Sequence, residues 1–141
     1  MNRRKYCLDL ISEAGLLGWK PAYTPSNPSI QLHADEGLLL LDPSSYRRLI
    51  GILLYLTHTR PDICFAIQQL SQFVSSPREP RLQQALHILH YLKNAPGDGL
   101  FYASNIDFKV QAFSNFDWGA CATIRRYVTC YCIFLGTSLI S

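Results

Sequence analysis

The chain has 141 residues, enough for one ordinary domain and too few for two independent ones. Hydrophobic residues make up 48% and charged residues 16%, which excludes a chain disordered by composition and leaves ample material for a core. The formal charge of +3 permits a polyanionic partner without demanding one, and every apolar run is broken far short of a membrane span.

The first predicted element is a helix over residues 3–17, with Leu8, Ile11, Ala14 and Leu17 on one face and Gly15 and Gly18 weakening its end. KPAYTPSNPS, residues 20–29, carries three prolines and reads as a linker or an extended surface crossing. A short strand at 30–33 and a turn at 35–37 follow. Asp42-Pro43 opens a second helix, because Asp caps free amides and Pro is tolerated at the first helical position. Tyr46, Leu49, Ile50, Leu53 and Leu54 give it an apolar stripe. Arg60-Pro61-Asp62 restarts the chain as a helix whose core face is Ile63, Ala66, Ile67, Leu70, Phe73 and Val74, and Ser75-Ser76-Pro77 stops it. A further helix from about Pro80 to Lys93 is expected to bury Leu82, Ala85, Leu86, Leu89 and Leu92. It turns Arg81, Gln83, Gln84 and Lys93 outward.

The chemistry changes at Ala95-Pro96-Gly97-Asp98-Gly99, a turn by composition. Residues 100–102, 109–114 and 127–135 are rich in β-branched and aromatic side chains, and a hairpin turn at 136–138 leads into a last strand. The fold class is therefore α+β. A first helix and Pro-rich linker occupy 1–42, a small helical bundle 43–95, and an antiparallel β segment 96–141.

Cys7, Cys64, Cys121, Cys130 and Cys132 form an odd set without disulfide-framework spacing, and no secretory signal precedes them. Reduced thiols in an intracellular setting, cytoplasm or nucleus, are the expectation. The basic, amphipathic start suggests an organelle presequence, against which Asp9 and Glu13 argue.

The run YRRLIGILLYLTHTRPDICFAIQQLSQFVSSP, then HILHYLKNAPGDGLFY, SNFDWGA, RRYVTCYCIFLG and SLIS, resembles the Pol polyprotein of copia-type LTR retrotransposons. KYCLDLISEAGLLGWKPAYTP is similar to that family's approach to the same region. The resemblance implies the segment after the reverse transcriptase palm: thumb- or connection-like helices, then the opening, incomplete sheet of an RNase H domain. It also implies a truncated window of a larger enzyme, the rest of the Pol polyprotein being the parent's partner. The parent activity is RNA-directed DNA synthesis and RNA degradation in RNA–DNA hybrids. The palm's Tyr-x-Asp-Asp motif does not occur in the chain, and further RNase H carboxylates are expected downstream of Ser141.

Family members show Ser-Asp-Ala-Asp-Trp where this chain has Ser114-Asn115-Phe116-Asp117-Trp118. The resemblance places Asn115 at the position of the first, metal-bridging Asp. Mg²⁺ in the parent family needs anionic oxygen ligands, and an amide brings no negative charge. Asp117 remains, two residues on along a strand and so on the same side. No cofactor or metal is expected for the chain itself, and no independent catalysis. His87 and His90 lie three apart on a helix without an evident third ligand, and Cys130-x-Cys132 reads as two buried small hydrophobes. Contacts to an RNA–DNA hybrid or other nucleic acid would fall to Lys5, Arg47, Arg48, Arg60, Arg78, Arg81 and Lys93 as sequence-independent phosphate contacts. The alternative is a non-catalytic nucleic-acid-binding or interaction module retained from a transposon. With its sheet uncovered, the β half is expected to be less stable than residues 43–95.

Overall fold

The computed structural model describes residues 3–27, 37–102, 104, 108–117 and 128–140, with backbone alone at 115–117 and 128–130. The strand expected at 30–33, and Trp118 with its turn, lie outside these residues. The chain is α+β, and it divides into two compact units, Asn2–Gly99 and Leu100–Ser141.

In the helical unit, α1 (Arg4–Glu13) buries Cys7, Leu10 and Ile11. Leu8 and Leu17, expected on the core face, are exposed. The helix stops at Glu13 instead of continuing to residue 17 because Gly15, at φ +70°, reverses the chain. The Gly15 amide donates to the Ser12 carbonyl at 3.0 Å and the Leu16 amide to the Ile11 carbonyl at 3.1 Å. These paired bonds satisfy the last carbonyls of the helix and return Leu16 to the core.

Helix α2 (Pro43–Leu56) starts as its sequence predicts. The Asp42 carboxylate accepts the Ser44 amide at 2.9 Å, a bond that holds its carboxyl below the usual range, and Pro43 fills the first position. Tyr46, Ile50, Leu53 and Leu56 are buried, whereas Leu54 is exposed. Pro61–Ile63 forms a single 3₁₀ turn before α3 (Cys64–Ser71), whose Ala66, Ile67 and Leu70 join Ile63 in the core. The Tyr46 hydroxyl donates to the Leu70 carbonyl at 2.8 Å and ties α2 to α3. Burial pushes that phenol far above its ordinary pKa.

Helix α4 (Glu79–Asn94) corrects the expected face. Its buried stripe runs Arg81, Gln84, Ala85, Ile88, Leu89 and Leu92, so Arg81 and Gln84 point inward. Arg81 is only 1% exposed. Its guanidinium tolerates this position because it is planar and weakly hydrated: it stacks 3.8 Å from the Phe73 ring centroid and donates to the Ser76 carbonyl at 3.4 Å.

Residues 38–40 run antiparallel to 77–79, with Leu40 donating to Pro77 and Glu79 to Leu38, each at 3.0 Å. Gly37, at φ +83°, sits against the Pro80 ring, where a Cβ would collide with the ring carbons. Gly37→Ala is expected to cost more than about 1 kcal/mol, read as a lower denaturant midpoint with an unchanged slope.

In the second unit, β1 (Val110–Asp117), β2 (Val128–Leu135) and β3 (Ser138–Leu139) form an antiparallel sheet in that order. Residues 100–102, expected as a strand, form none. Leu135 pairs with Ser138, so the hairpin loop is Gly136-Thr137, one residue shorter than expected. Gly136 supplies the positive φ, +59°, that such tight turns require. Val110, Phe113 and Tyr131 are exposed, and Phe113 meets Phe134 edge to face at 6.0 Å. Among the described residues, no helix is long and apolar enough to cross a membrane.

Candidate functional site

Two regions carry the residues singled out from sequence. The first is β1, whose register pairs Asn115 with Cys130 and Asp117 with Val128. Both residues therefore stand on one unbroken strand, at the end that runs into residue 118. Among the described residues, no three His, Cys, Asp or Glu side chains gather where a metal ion could be held.

The second region is the helical unit, where the basic candidates separate by environment. Lys5, Arg47 and Arg48 are exposed. Arg47 spends its Nε on the Val74 carbonyl at 3.0 Å, and Arg48 lies 3.7 Å from Glu13 with both side chains well solvated. Such an exposed pair contributes at most about 1 kcal/mol. Lys5 stands at the start of α1 and Arg47 and Arg48 at the start of α2. Arg3 meets Tyr55 near the far end of α2 while Glu13 meets Arg48, so these two helices run antiparallel and hold Lys5 away from the arginine pair.

The remaining candidates are engaged inside the fold. Arg78 donates to the Gly37 carbonyl at 2.6 Å. Lys93 donates to the carbonyls of Leu16 and Trp19, at 3.2 and 2.7 Å, and to that of Leu17, strapping the chain after α1 onto α4. His87 and His90 serve the same strap. His87 Nε2 lies 3.1 Å from the Thr24 carbonyl, and Trp19 stacks on the His90 ring. Burial, with smaller contributions from His87 and Lys93, lowers the His90 pKa. Cys132, expected as a buried small hydrophobe, is exposed.

Arg60 and Asp62 form the most developed polar cluster. Arg60 Nε and Nη2 grip the Asp62 carboxylate at 3.0 and 2.8 Å, and Nη1 donates to the Ala95 carbonyl at 2.7 Å. The Tyr91 hydroxyl donates to the same carboxylate at 2.8 Å. Cys7 is close enough to feel both charges, although burial is what chiefly raises its thiol pKa.

One further group was not marked by the sequence. Arg3, Tyr6, Tyr55 and His58 meet on the surface where α1 begins and α2 ends. The tyrosine rings stand edge to face at 5.7 Å, the Arg3 guanidinium lies 3.9 Å over Tyr55, and the His58 ring is 6.0 Å from Tyr55. The basic run Arg3-Arg4-Lys5 is visible in the sequence. Its aromatic partner is not, because Tyr55 arrives from another helix.

The retrovirus-related Pol polyprotein from transposon RE1 of Arabidopsis thaliana is 37% identical over all 141 residues. An uncharacterized mitochondrial protein of the same plant is 34% identical over the whole chain, which covers 58% of it. A second is 46% identical over 79 residues, covering 56% of this chain and 71% of that protein. The chain spans only 10% of the length of the RE1 polyprotein. No family model matches, and no solved structure matches. Identity to transposon polyproteins is sustained from end to end, and the chain belongs to the family of retrovirus-related Pol polyproteins of copia-type transposons.

Proposed function

We propose that the helical unit is a thumb- or connection-like support for the template–primer duplex and that the sheet opens an RNase H-like domain. The parent polyprotein would carry out RNA-directed DNA synthesis and degrade RNA in RNA–DNA hybrids. The observation that carries this reading is the whole-chain similarity to the RE1 Pol polyprotein. The order of elements, a helical unit followed by an antiparallel hairpin, is compatible with it. The exposed Lys5, Arg47 and Arg48 offer the sequence-independent phosphate contacts a duplex support needs.

On this reading the chain alone is not catalytic. Mg²⁺ would supply water activation and leaving-group stabilisation in the parent domain, through anionic oxygens. The donor set on β1 does not fit it: Asn115 offers a neutral amide, and Asp117 a single carboxylate. Purified chain incubated with Mg²⁺ and a labelled RNA–DNA hybrid is expected to leave the RNA intact. Asn115→Asp is expected to leave it intact as well, since two carboxylates two residues apart do not complete a two-metal site. Cleavage by the unmodified chain that disappears in Asp117→Ala would overturn this reading.

A further inference from the structure

We propose that Arg3, Tyr6, Tyr55 and His58 form a stacking platform for single-stranded nucleic acid, distinct from the duplex-supporting arginines at the start of α2. The inference rests on the nucleic-acid reading above and gives it a second, strand-selective site.

The physical grounds lie in what the cluster is made of and where it sits. Tyr6 and Tyr55 are 38% and 47% exposed, so neither ring is used up by the core. They are nevertheless held in place: Tyr6 and Tyr55 meet in a T-shaped contact, Arg3 covers one face of Tyr55, and His58 Nδ1 lies 3.1 Å from the Tyr55 carbonyl. A fixed, half-open ring set flanked by cations is what an unpaired base recognises, through its π-face and without regard to sequence. The Arg3 guanidinium is itself a plane on which a base can stack. Arg4 follows it, exposed on α1, and can take an adjoining phosphate.

The acids of α1 do not outweigh the charge of Arg3, Arg4 and Lys5. Glu13 is paired with Arg48 at the other end of α1. Asp9, one turn beyond Tyr6, is the remaining carboxylate on α1. A base-paired duplex keeps its π-faces inside its own stack, so it gains nothing from the rings. Selection for the single strand follows from that.

The test is fluorescence anisotropy of the full chain with a labelled oligothymidylate and, separately, a labelled RNA–DNA hybrid. Tyr55→Leu and Arg3→Gln are each expected to weaken oligothymidylate binding on the order of tenfold while leaving hybrid binding unchanged. Tyr55→Phe keeps the ring and is expected to bind like the parent. Circular dichroism melting confirms that each variant is folded, and Tyr6→Leu provides an independent readout if Tyr55→Leu is not. Oligothymidylate affinity that survives loss of both rings would overturn the platform while hybrid binding persists, leaving the polyprotein reading intact. Failure to bind either probe would overturn both.

Discussion

Arg60→Ala is expected to destabilise the helical unit by about 3 kcal/mol, a loss of roughly 12–24 °C in thermal midpoint for a unit of this size. The Arg60 side chain is nearly inaccessible while Asp62 is 36% exposed, which places the effect at the low end for breaking a buried pair. Three things are lost together. Asp62 keeps its charge without its fork of donors, the Ala95 carbonyl loses its partner, and the turn before α3 is untied from the end of α4. Arg60→Lys is expected to recover only part of the stability, because a point charge cannot serve the carboxylate and the carbonyl at once. A melting curve for Arg60→Ala within two or three degrees (roughly 0.5 kcal/mol) of the parent would refute this role.

The same cluster sets an acid limb. Burial opposes ionisation of Asp62, but the hydrogen bonds from Arg60 and Tyr91 outweigh it and hold the carboxyl below its ordinary value of 3.8. A depressed folded-state pKa contributes stability that is complete above the ordinary value and is lost as pH falls through the lower, folded one. Asp62→Asn therefore flattens this acid limb as well as lowering the plateau above it.

Helix existence was legible wherever local chemistry was decisive. Asp42-Pro43 announced the start of α2, and Ile63, Ala66, Ile67 and Leu70 announced the core face of α3. Two features escaped for reasons that belong to tertiary structure. The face of α4 was read one residue away because Arg81 counts as a surface residue by type, whereas Phe73 and the Ser76 carbonyl make it a core residue here. The end of α1 was read too late because a glycine inside an apolar period only weakens a helix on paper. In the fold Gly15 takes a left-handed conformation and ends it.

The candidate site was legible in kind more than in place. The family followed from the motifs, and the substitution at Asn115 was visible against them. Which basic residues face solvent was not, since Arg60 and Lys93 are engaged by the carbonyls of Ala95 and Trp19, far away in the chain, and Arg81 by the Phe73 ring. The Arg3–Tyr55 stack could not be foreseen at all, because it depends on α1 and α2 lying antiparallel.

The proposed nucleic-acid role of the helical unit is tested most directly by whether it binds an RNA–DNA hybrid and how that binding depends on salt. If Lys5, Arg47 and Arg48 each neutralise one phosphate, log affinity falls against log salt with a slope of about −2.7, or roughly 40-fold between about 50 and about 200 mM. The triple alanine variant at these positions should remain folded, because all three side chains are exposed, and should bring the slope close to zero. Binding that ignores salt, or a slope the triple variant leaves unchanged, would contradict a duplex-supporting role for this unit.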